Sequence, residues 1–108
     1  MRLFGYKCVT NLWDEFTKAE RSGIPAIRAT YNRVMRERSN DVVYLTELVM
    51  VLNHKISQWY DGDNSDNGLH TEIARAYSDL WVKTAEYAGT HLEGEDLAYY
   101  YNMMDKGV

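Results

Sequence analysis

Cysteine and proline are almost absent from this sequence, with one of each in 108 residues. A single Cys excludes a disulfide scaffold and a zinc cage built on several thiolates. A single Pro argues for long helices over a turn-rich β architecture. Basic charge is also short: 12 Lys and Arg stand against 16 Asp and Glu, a net charge of −4. Direct binding of nucleic acid, which normally needs a strongly basic domain, is therefore not expected. There is no run of about 18 apolar residues to span a membrane. The opening residues Met1-Arg2-Leu3-Phe4-Gly5-Tyr6-Lys7 carry no apolar signal-peptide region. These absences predict a soluble, cytoplasmic protein. The seven Gly are scattered, so no Gly-rich phosphate loop exists.

What is present is apolar and helical. Hydrophobic residues make up 45% and charged residues 26%, enough to form the core of one globular domain over residues 1–108. Val42, Leu45, Val49, Leu52, Ile56 and Trp59 recur at the 3- and 4-residue spacing of one helical face. Asn40 or Asp41 can cap this helix. Tyr44, Leu48 and Val51 form a second apolar row beside the first, so the helix needs several neighbours. Its polar strip is narrow: Glu47, His54, Ser57 and Asp61, flanked by Asn53 and Gln58, with His54 expected at the surface. A second long helix is predicted over 69–92, with Ile73, Tyr77, Leu80, Thr84, Tyr87 and His91 inward and Gly94 just beyond its end. Pro25 suits the first turn of a third helix carrying Ile24, Ile27, Tyr31, Val34 and Met35. Shorter helices are predicted around Val9, Leu12, Trp13 and Phe16, capped by Thr10 or Asn11, and around Leu97, Tyr100, Tyr101 and Met104. Residues 2–8 read as a short extended arm. The expected fold is all-α, a compact bundle of four or five helices with two long antiparallel helices at its centre.

Between those two helices lies the polar run Asp61-Gly62-Asp63-Asn64-Ser65-Asp66-Asn67-Gly68. Asp61, Asp63, Ser65 and Glu72 fall at positions 1, 3, 5 and 12 of a calcium loop, where oxygen ligands are needed. The stretch 61–72 resembles an EF-hand loop, and that resemblance implies a calcium-binding helical module. It departs at position 6, where Asp66 replaces the Gly of the sharp turn, and at position 8, where Gly68 replaces an apolar residue. No second loop accompanies it. The plainer reading is a solvated turn, since Asp, Asn, Ser and Gly are what turns use.

No catalytic residues are assigned and no cofactor is expected. His54, His70 and His91 make no metal-binding pair, and Cys8 reads as a small buried hydrophobe. Arg28, Arg33 and Arg36 share one side of their helix, most simply as a solvated face, while Arg38 falls nearer the apolar row. Charge is divided along the chain. Residues 1–54 hold eight Lys and Arg against six Asp and Glu; residues 55–108 hold four against ten. Fourteen aromatic rings are many for this length. Tyr99, Tyr100, Tyr101, Met103 and Met104 cannot all face inward around one short helix, and with Trp81 they are the candidate partner-binding residues. The sequence thus reads as a non-enzymatic protein-protein interaction or regulatory module. Its partner is a protein, including a second copy in a homodimer. The alternatives are the calcium module and an acidic inhibitor that blocks a nucleic-acid-processing enzyme.

Overall fold

The computed structural model describes residues 2–3, 6–60 and 69–107. Two two-residue strands, β1 (Arg2–Leu3) and β2 (Tyr6–Lys7), pair antiparallel at the start, with Arg2 opposite Lys7 and Leu3 opposite Tyr6. The extended arm is thus a minimal hairpin. Five helices follow among the described residues: α1 (Leu12–Glu20), α2 (Ile24–Arg38), α3 (Val42–Tyr60), α4 (Leu69–His91) and α5 (Gly94–Gly107). The fold is an all-α bundle, and α3 with α4 form its main packed pair. No helix is long and apolar enough to cross a membrane among the described residues.

Local chemistry sets the helix ends. Asp41 Oδ1 accepts the Val43 N–H at 3.0 Å and the Tyr44 N–H at 3.4 Å, satisfying amides that have no intrahelical partner. The chain turns from α1 into α2 at Gly23, whose φ of 93° is open to glycine and strained for other residues. Pro25 occupies the first turn of α2 as its missing N–H allows. Gly94 takes φ 56° just past α4 and opens α5.

Contacts along the helices fix their directions. On α1 and α2, Glu15 meets Arg33 across the pair, and the shallow groove between them runs from Ala19 to Ala26. On α3 and α4, Leu45 and Val49 pack with Ala88, while Ile56 and Tyr60 lie beside Ala74 and Ser78. The first four helices therefore alternate in direction, and α5 returns along α3 and α4. Every residue from Leu45 to Leu52 is buried, which makes α3 the centre of the core. Phe16, Ile27, Tyr31, Ile73 and Tyr77 join it from the surrounding helices, and Phe16 meets Tyr77 edge to face. A second cluster of Leu45, Val49, Ala88 and Tyr100 fastens α5.

The expected polar strip of α3 is only partly a surface. Ser57 and Gln58 are exposed and Asn53 and His54 are half-buried, but Glu47 is fully buried. The segment at Val9 and Thr10 lies across its carboxylate and removes it from water.

Candidate functional site

The residues singled out in the sequence scatter. Asp61, Asp63 and Ser65 of the calcium-like loop lie outside the described residues; Glu72 is exposed in the first turn of α4. Among the described residues, no three His, Cys, Asp or Glu side chains converge to hold a metal ion. His91 ends α4, donates from Nδ1 to the Tyr87 carbonyl at 3.0 Å and stacks on the Tyr87 ring. Cys8 is buried beside Glu47; burial first, then the nearby carboxylate, push its thiol up, so it stays protonated and unreactive. The aromatic candidates divide. Tyr100 is buried against Leu45 and Val49, and Trp81 and Met104 are half-buried against both core clusters. Tyr99 and Met103 are half-buried, and Tyr101 is 54% exposed.

The strongest concentration of titratable groups lies inside the bundle and includes Lys55, which the sequence reading passed over. Lys55 has no exposed surface. Its Nζ lies 3.0 Å from Glu20 Oε2, donates to Thr17 Oγ1 at 2.6 Å and sits 4.0 Å above the Trp13 ring. Thr17 passes the chain on, donating to the Trp13 carbonyl at 2.8 Å. Tyr77 donates its hydroxyl to the same Glu20 oxygen. Burial pushes the Lys55 ammonium down, while Glu20 and Asp14 push it back up. The Tyr77 phenol is raised far above its ordinary value, first by burial and then by Glu20.

A second polar group sits two turns earlier on α3. Glu47 accepts the Val9 N–H at 3.0 Å, the Thr10 N–H at 3.1 Å and the Thr10 hydroxyl at 2.8 Å. Glu47 and Lys55 are thus about 12 Å apart along α3 at 1.5 Å per residue. They hold the two ends of α1, so α1 runs parallel to α3 in a fixed register. The negative charge also faces the positive end of α1. Every one of these reactive groups already has a partner and is shielded from solvent, so their arrangement does structural work on α1.

The outer surface carries divided charge. Residues 21–38 hold five Arg and one Glu, and residues 86–107 hold five Asp and Glu and one Lys. Arg33 is paired with Glu15 at 2.7 Å, and Arg38 lies over the Tyr44 ring; Arg28 and Arg36 are exposed. On α5 the exposed arc follows from 100° per residue. Glu95, Ala98, Asn102 and Asp105 occupy its middle, with Tyr99 and Tyr101 on either flank. Glu86, Glu93, Glu95, Asp96 and Asp105 are all exposed, and none has an ion-pair partner among the described residues.

Fold and surface together define a class: a small helical bundle with ionic groups buried between its helices and opposite charges on separate helices. No known family, no curated protein and no solved structure matches the chain.

Proposed function

We propose that the chain is a non-enzymatic protein-interaction module that docks through the outer face of α5 onto a positively charged protein surface. One observation carries this reading: the outer arc of α5 carries Glu95 and Asp105, exposed and without ion-pair partners among the described residues, together with Tyr101, which is 54% exposed. Exposed tyrosine supplies contact area with a polar tip, and surrounding charge steers a partner of opposite sign. The inward placement of Lys55, Glu20, Tyr77 and Glu47 supports a binding role over a catalytic one, since these groups are committed to holding α1. Most of the aromatic surplus lies in or against the core, so recognition rests on charge and a tyrosine edge in place of a broad apolar patch.

A photo-crosslinking residue placed at Ala98, in the middle of the exposed arc, tests this in an extract of the source cells, with Ser57 on α3 as control. Adducts are expected at Ala98 and should fade as salt rises to about 500 mM. Equal adducts at both positions, or none at Ala98, would contradict the assignment.

A further inference from the structure

A groove of about 540 Å³ runs between α2 and α4. Leu80 lies in its floor and Val82, 43% exposed, adds an apolar edge. Arg28 from α2 and Lys83 from α4 stand on its rim, and neither has an ion-pair partner among the described residues. Among the described residues, Asp79 is the single acidic side chain lining it. Arg36, exposed two turns beyond Arg28, prolongs the cationic ridge.

We propose that this groove receives the α5 face of a second copy of the chain. The proposal rests on the reading of α5 as the docking face and names its partner. Charge complementarity argues for a copy. The groove presents Arg28 and Lys83 against Asp79, and the outer arc of α5 presents Glu95 and Asp105, so each molecule holds both halves of the contact. Within one molecule α5 packs on α3 and α4, leaving its acidic arc turned outward and the rim cations Arg28 and Lys83 without ion-pair partners among the described residues. Docking α5 brings Glu95 and Asp105 toward Arg28 and Lys83, and it brings the exposed Tyr101 ring toward Val82. Two such contacts related by a twofold axis close a dimer, because each copy contributes one groove and one helix. The attraction is between surface charges, so the association weakens with salt.

Light scattering on the full chain, at about 50 mM and about 500 mM salt, measures this directly. At low salt the mass should exceed the 12.6 kDa of one chain, and at high salt it should return to that value. The groove variant Arg28→Glu/Lys83→Glu and the face variant Glu95→Lys/Asp105→Lys should each remain monomeric at low salt. An equimolar mixture of the two restores opposite charges across the contact and should regain the higher mass. All four positions are exposed, and circular dichroism verifies that each variant keeps its helices. A wild-type mass of one chain at low salt, or a mixture that stays monomeric, overturns the proposal. If that happens while salt-sensitive adducts still form at Ala98 in extract, the second copy is excluded and the α5 docking face stands; loss of both results removes both.

Discussion

Removing either partner of the Lys55–Glu20 pair should cost far more than removing both. The attraction at 3.0 Å is about 5–6 kcal/mol at an effective dielectric of 20. Against it stands a desolvation penalty of several kcal/mol for each ion, so the net contribution of the intact pair is small. Lys55→Met leaves the Glu20 carboxylate enclosed with the Tyr77 hydroxyl. Glu20→Gln leaves an enclosed ammonium with Thr17 and the Trp13 face. Each single variant should lose roughly 3–5 kcal/mol. That is a large share of the roughly 5–15 kcal/mol that holds a domain of this size folded. The double variant leaves no uncompensated charge at positions 20 and 55, and its Gln oxygen still accepts the Tyr77 hydroxyl. It should be more stable than either single variant. Urea unfolding followed by Trp fluorescence reads the difference. At a slope of about 1.5 kcal/mol/M, each single substitution moves the midpoint down by about 2–3 M. The reasoning is refuted if the two single losses simply add in the double variant, or if each is below about 1 kcal/mol.

Three further outcomes follow from the core. Glu47→Ala strands the Val9 and Thr10 amides and should cost about 2–4 kcal/mol, with faster hydrogen exchange at those two positions; unchanged exchange would show that α1 does not depend on this clamp. Thr46 is buried and its hydroxyl has no hydrogen-bond partner among the described residues, so Thr46→Val should raise stability by about 1 kcal/mol in the same urea assay, and a loss of that size would argue against the burial. Stability should also fall at alkaline pH. Burial holds the phenolic protons of Tyr31, Tyr77 and Tyr100 above the ordinary value near 10, so above about pH 10 the folded state binds more protons than the unfolded chain. Lys55 acts in the opposite sense, because its folded pKa is lowered, but one lysine faces three tyrosines. Melting temperature should therefore drop from about pH 9 to about pH 11, less steeply in Tyr77→Phe, and a rise over that range would reverse the argument.

The helical architecture was legible because its signals are local. The row Val42 to Trp59, the Asp41 cap, Pro25 and Gly94 each act within a few residues, and each appears where the spacing places it. The buried ions were not legible, although their positions carried a trace. Lys55 falls three residues after Leu52 and four before Trp59, inside an apolar row, and Glu47 falls between Tyr44 and Val51. A charge at a core position implies a partner of opposite sign, but nothing local says which. Glu20 is 35 residues from Lys55 in the chain, and Thr10 is 37 from Glu47, so only the tertiary fold joins them. Spacing shows that the aromatic tail cannot all face inward, but not which ring turns out. Three adjacent tyrosines necessarily point three ways around a helix, and the structure assigns Tyr100 to the core, Tyr101 to solvent and Tyr99 to the margin.

The clamps on α1 also impose an order on assembly during synthesis. The ribosome delivers α1 before the side chains that fasten it. Glu47 follows Thr10 by 37 residues, and Tyr77 follows Glu20 by 57. At about 5–20 residues per second, the last of these partners appears about 3–11 s after Glu20. Until Glu47 and Lys55 have been made, the nascent α1 can collapse only on apolar contacts, without its polar fastenings. Its polar fastening therefore starts only with the synthesis of α3 and is completed with α4, although α1 precedes both in the chain.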